Sequence, residues 1–192
     1  MRIVNRLITI VAASVLSLAA AEFSIDDSHS QVGFEVKHMM ISKVRGQFHE
    51  YMADIAYDKK KGVFTSLEGT VSTASIDTDN EKRDNHLKSP DFFDVEKFPE
   101  MKFVMTEYKG DKNGGKAKGN LTIKDVTKPV VFDVEIGGIA EDPWGNTRIG
   151  FTAQTTIDRK DFGLNWNKVL EAGGFLVGDE IKIVIEIEGI EI

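Results

Sequence analysis

Cysteine is absent from this 192-residue chain, and proline occurs only four times. The missing thiols remove disulfide staples, thiol nucleophiles and thiolate metal sites together. Basic side chains are also short in number, 24 Lys and Arg against 31 Asp and Glu, for a formal charge of −7. That balance argues against a nucleic-acid partner, which needs a basic face to displace counterions. No HExxH, GxSxG or phosphate-loop pattern occurs, and His29, His38, His49 and His86 show no His-x-His or His-x3-His spacing. No metal, cofactor or catalytic residue is therefore expected.

Long apolar runs are lacking too, with one short exception. Leu7 to Leu18 is almost unbroken, follows Arg2 and Arg6, and precedes Ala19-Ala20-Ala21. A run of about a dozen residues is too short to span a bilayer of about 30 Å. With its basic start and small-residue end it reads as a secretory signal over residues 1–21. The remaining 22–192 would form one domain, periplasmic or secreted, without stable membrane insertion. Loss of Arg2 and Arg6 leaves 22 basic against 31 acidic residues, a charge of −9.

What is abundant is period-two alternation, the mark of strands with one buried face. Val32, Phe34 and Val36 share one parity. Val44, Gly46 and Phe48 share another, which slips by one residue before Ala53, Ile55 and Tyr57, predicting a bulge near His49 to Met52. Leu67, Gly69 and Val71 follow, then Met101, Phe103 and Met105, then Ala117, Gly119, Leu121 and Ile123. Val130, Phe132, Val134 and Ile136 alternate up to a break at Gly137-Gly138; Ile149, Phe151, Ala153, Thr155 and Ile157 come next, and Ile181 to Ile187 last. About eight strands joined mostly by short turns point to an all-β, antiparallel domain. Apolar parity to both strand ends, with glycines that ease bending, favours a closed barrel over a sandwich.

Two segments interrupt the strands. Thr78 and Glu81 have capping-box spacing, predicting a short helix that Ser89-Pro90 ends, with a further turn at Asp91-Phe92-Phe93-Asp94. Arg159 to Gly174 is turn-like. Arg83, Asp84 and His86 form the densest polar cluster, and Arg159 lies between Asp158 and Asp161. Either these residues receive the polar head of a ligand, or they pin a helical lid through an Arg–carboxylate pair with Asp77, Asp91 or Asp94. Met39-Met40-Ile41, three apolar residues in a strand connection, suit a pocket entrance or a dimer interface.

Asp27-Ser28-His29-Ser30, Arg45-Gly46-x-Phe48, Arg83-Asp84-x-His86-Leu87 with Asp91-Phe92-Phe93-Asp94, Thr127-Lys128-Pro129-Val130 and Arg159-x-x-Phe162-Gly163 resemble the YceI-like family from about Phe23 onward. The resemblance implies an extended eight-stranded lipocalin-like barrel with one or two short helices, often dimeric. It also implies an apolar tunnel for polyisoprenoid, quinone-like or fatty-amide lipids, with no established catalytic residues. The tunnel candidates are Phe34, Val36, Met39, Met40, Phe48, Ile55, Val71, Phe92, Phe103, Leu121, Phe132, Phe151, Phe162 and Ile183. Arg83, Asp84, His86 and Arg159 are the candidates for a polar mouth. The expected function is non-enzymatic lipid binding, transport or storage. Two alternatives stand beside it: a stress-related protein-interaction or signal-binding module, and an enzyme acting on an isoprenoid head group through His86 and Asp84.

Overall fold

The alternating segments form eleven strand pieces: β1 (Ala21–Ile25), β2 (Gln31–His38), β3 (Ser42–Phe48), β4 (Tyr51–Asp58), β5 (Val63–Ser72), β6 (Ile76–Asp77), β7 (Glu100–Asp111), β8 (Gly114–Ile123), β9 (Val126–Glu141), β10 (Thr147–Asp158) and β11 (Val177–Glu191). Helix α1 spans Glu81–Lys88. The computed structural model describes residues 20–171 and 173–192. The leader expected over 1–21 lies outside the described residues up to position 19.

Every strand pair is antiparallel, and the order β1-β4-β5-β7-β8-β9-β10-β11 returns to β1. Eight strands therefore close a barrel, as the parity pattern predicts. The extra pieces arise from two bent strands. The long β11 pairs with β1 near its C-terminus, Phe23 opposite Glu191, and with β2 further back, Phe34 opposite Ile183. A single 3-10 turn at Asp27–His29 separates β1 from β2. The parity slip expected near His49 to Met52 is the gap between β3 and β4 at His49 and Glu50, where the His49 N–H donates to the Ser75 carbonyl. Short β6 extends the sheet from β3 at Gln47 and Phe48.

Two local expectations are corrected. Gly137-Gly138 does not end its strand: Gly150 faces Gly138 and Phe151 faces Ile136, so β9 absorbs Gly137 as a bulge and runs on to Glu141. Gly138, at φ +138°, makes that kink without a side-chain penalty. The helix cap is Asn80, whose side chain accepts from the Arg83 N–H at 3.0 Å. Thr78 cannot serve, because Asp84 draws in both its N–H and its hydroxyl.

One end of the barrel is plugged. Tyr57, Phe64, Phe151 and Tyr108 meet edge to face with ring centroids 4.9–5.4 Å apart, beside Phe23, Val134, Ile136 and Ile149. A second cluster near the other end joins Phe92, Leu121, Ile123, Ile157, Phe162 and Leu164, with Leu87 of α1 packed on it. The interior between the clusters is where the barrel leaves space.

Candidate functional site

An apolar cavity of about 210 Å3 occupies that space. Phe34 and Val36 of β2, Phe48 of β3, Val71 of β5, Phe103 of β7 and Ile183 of β11 line its length. Phe92 and Leu121 border it toward the α1 end; Phe132 and Phe151 border it toward the plug. Two of the rings lie across glycines. A Cβ on Gly46 would sit 2.5 Å from the Phe34 ring, and one on Gly119 would sit 2.4 Å from the Phe103 ring. These glycines thus make room for aromatic side chains inside the wall, a different use from the bending that the sequence pattern suggested.

Four apolar candidates fall elsewhere. Ile55 is buried in the cluster around the plug, and Phe162 is buried beneath the 3-10 turn Arg159–Phe162, so neither borders the cavity. Met39 and Met40 occupy the exposed β2–β3 turn, because three residues between paired His38 and Ser42 leave no path back to the interior.

The polar candidates hold the end pieces in place. Arg83 donates from Nε to the Thr78 hydroxyl and from a terminal nitrogen to the Thr78 carbonyl, both at 2.7 Å. Asp84 accepts from the Thr78 N–H at 2.9 Å and from its hydroxyl at 2.5 Å. The lid is thus pinned through a buried threonine and not through an Arg–carboxylate pair. His86 pairs through Nε2 with Asp91 at 2.9 Å and stands edge-on to Trp166 and Phe92. Asp84 and His86 consequently point their polar atoms at different partners, and neither borders the cavity.

Arg159 does border it, with only 2% of its surface exposed. Its guanidinium donates to the carbonyls of Gly178 (2.9 Å), Trp166 (2.9 Å) and Leu164, and to the Asp179 carboxylate (3.2 Å). Four of the five N–H donors of an arginine are used in this way. Burial pulls its pKa down while Asp179 and Asp158 pull it back up. The arrangement ties Leu164 and Trp166 to the start of β11 at Gly178 and Asp179. The other charged residues on the cavity border, Glu68 and Lys102, pair with each other at 3.4 Å.

Residues 23–189 match the model of the YceI-like domain. The chain belongs to the YceI-like family. A UPF0312 protein of Staphylococcus aureus is 38% identical over 163 residues, covering 83% of this chain and 92% of its own. A UPF0312 protein of Pectobacterium atrosepticum is 36% identical over 190 residues and covers 96% of both chains. Among solved structures, the Campylobacter jejuni YceI protein is 40% identical with a TM-score of 0.72, over 81% of this chain and 90% of that one. A polyisoprenoid binding domain from Saccharophagus degradans is similar in fold alone, at 10% identity and a TM-score of 0.66, over 90% of this chain and 99% of that one.

Several residues that line the cavity of this YceI-like barrel lie outside the candidates named from sequence. Val32, Met101 and Ile185 line the cavity and share strand parity with named candidates, so the signal was present. Leu87, Phe93 and Leu164 reach it from α1 and the loops, where no period reports direction. A polar cluster was also missed outside the cavity. Arg148 donates to Asp26 and Glu188 at 2.6 Å and to Asp142 at 2.8 Å. Asp26, His29 and Glu188 offer metal-type ligand atoms within 4.8 Å of one another, but the Arg148 guanidinium already bridges the two carboxylates as the cation. Hydrogen bonds from Ser28, Arg148 and His29 hold the Asp26 pKa far below the usual range, and Asp26 raises that of His29.

Proposed function

We propose that the barrel binds and carries or stores a long-chain isoprenoid or related amphiphilic lipid, without chemical turnover. The observation that carries this reading is the cavity: its length is lined by aromatic and aliphatic side chains, and its bordering charges are already paired or hydrogen-bonded within the protein. Apolar chain released from water gains roughly 0.8 kcal/mol per methylene, so such an interior suits the tail of a lipid. The name of the Saccharophagus degradans neighbour agrees with that ligand class. The leader-like start of the chain supports work in the periplasm or outside the cell, where a lipid must cross water.

Volume constrains how the lipid sits. The 210 Å3 of this cavity lies below the roughly 300–1,000 Å3 of ordinary small-molecule sites. A long chain therefore continues beyond the cavity or displaces side chains of its wall.

Native mass spectrometry of gently purified protein tests the reading. The expected result is an added prenyl or acyl mass that denaturation releases. Protein that neither copurifies with nor takes up such a chain would sink the proposal. Appearance of a chemically altered lipid only when protein is present would favour the enzyme reading instead.

A further inference from the structure

Ten large apolar side chains are well exposed among the described residues, and five of them share one end of the barrel. Met39, Met40 and Ile41 form the β2–β3 turn; Val169 and Phe175 form the loop before β11. The two tips are tied together, since the Met39 N–H donates to the Leu176 carbonyl at 2.8 Å and Val177 pairs with His38. Ile41 is 83% exposed, Val169 70% and Met40 59%. Scattered apolar residues need no explanation, but a contiguous group on one end does. The turn is also held in an unfavourable shape. Met39 and Met40 adopt φ of +49° and +63°, a region where a hairpin would ordinarily place Asn or Gly.

Charge separates this end from the rest. Along residues 35–45, Lys37, Lys43 and Arg45 outnumber Glu35, and Lys37 lies directly across from Lys43 in the β2–β3 register. Like charges opposite each other weaken a hairpin; Glu35 pairs with both Lys43 and Arg45 at 2.7 Å, so the three cations have one carboxylate among them beside the apolar tip. Residues 158–182 carry four basic and five acidic side chains, with the Lys160 ammonium 5.5 Å over the Phe175 ring. Together the two segments sum to +1, so the remainder of residues 22–192 carries −10. Near an anionic surface such a molecule turns this end toward the surface and its acidic body away.

We propose that the Met39–Ile41 and Val169–Phe175 tips dock the barrel on an anionic phospholipid bilayer. The apolar tips enter the interface while Lys37, Lys43 and Arg45 meet lipid phosphates. Val36 and Val177 line both the interior cavity and the groove beneath Met40 and Phe175, so the docked end is the one where the cavity comes close to the lipid. Docking does not depend on the cargo reading: cargo is read by native mass and docking by vesicle binding, and either can fail alone.

The test is cosedimentation of the full mature protein with vesicles of phosphatidylcholine and phosphatidylglycerol in equal parts, and with vesicles of phosphatidylcholine alone. Wild type binds the anionic vesicles, and binding falls steeply with added salt. Lys37→Gln with Lys43→Gln lowers the partition on the order of tenfold. Met40→Asp with Ile41→Asp abolishes it, whereas Trp144→Asp, at an exposed site in the β9–β10 turn, leaves it unchanged. All these side chains are exposed, and circular dichroism verifies that each variant is folded. Wild type that ignores anionic vesicles, or tip variants that bind as well as wild type, would overturn the proposal. A doubled solution mass that Met40→Asp with Ile41→Asp reduces to monomer, without vesicle binding, would assign the tips to a second copy of the chain.

Discussion

At the scale of single residues, the interior depends on side chains that lean on what is missing beside them. Phe34 and Phe103 sit across Gly46 and Gly119, but the two glycines differ in what else is near. The three atoms nearest a Cβ at Gly46 belong to the side chains of Phe34 and Thr78, whereas those nearest one at Gly119 include the Val104 carbonyl oxygen at 2.4 Å. Gly46→Ala is therefore expected to push the Phe34 ring into the cavity, costing about 1–3 kcal/mol and reducing lipid uptake several-fold. Gly119→Ala strains backbone as well and should unfold the barrel at lower urea. Equal urea midpoints for the two variants would contradict this. Arg159 depends on fork geometry instead. A lysine ammonium has three N–H donors on one nitrogen and cannot reach the four acceptors spread around the guanidinium fork, so Arg159→Lys should cost about 3 kcal/mol in urea unfolding; a variant as stable as wild type would remove the anchoring role. Its place between Asp158 and Asp161 left Arg159 open to a ligand-head role or a carboxylate anchor; the carboxylate it meets is Asp179. The loop that brings Asp179 back has no period to read.

Among elements, the strands and the existence of α1 were legible, but how α1 is fastened was not, for a physical reason. A strand with one wet face must alternate, and a bulge must shift the parity, so the β3–β4 break shows in Phe48 followed by Ala53 and Ile55. Helix α1 has no buried residue and little apolar stripe to report which way it faces. Side-chain hydrogen bonds position it: Thr78, itself buried, accepts from Arg83 and donates to Asp84. Thr78→Val keeps the shape of that side chain but removes the hydroxyl from both partners. The expected outcome is a loss of about 1–3 kcal/mol, concentrated in the lid. Hydrogen exchange should then speed up at the amides of Glu81–Lys88 while those of β8 to β10 keep their protection. Uniform acceleration across the barrel would show that Thr78 supports the wall and not the lid.

For the molecule as a whole, closure was legible from strand number and small residues, but the clasp at the bend was not. That clasp joins residues far apart in sequence: Arg148 on β10 reaches Asp26 at the β1–β2 bend, Glu188 on β11 and Asp142 in the β9–β10 turn. Two of its carboxylates, Asp26 and Asp142, are held far below the usual range. Asp26 is lowered by Ser28 first, then by Arg148 and His29; Asp142 is lowered by Asn146 first, and by Arg148. A carboxylate with a depressed folded pKa adds stability that is complete above its ordinary value near 4 and is lost as pH falls through the folded value. His29 has the opposite sign. Its pKa is raised by Asp26, so its contribution is present below about pH 6.5 and fades as pH rises through the folded value. Arg148→Gln leaves three carboxylates facing one another without their cation and should lower Tm by several degrees near neutral pH. Because protonation neutralises the same carboxylates, the gap between wild type and variant should narrow steadily from about pH 4 downward. Thermal melts of both proteins from about pH 7 to about pH 3 measure that gap directly. A gap that stays constant over this range would mean that Arg148 stabilises the bend by packing and not by charge.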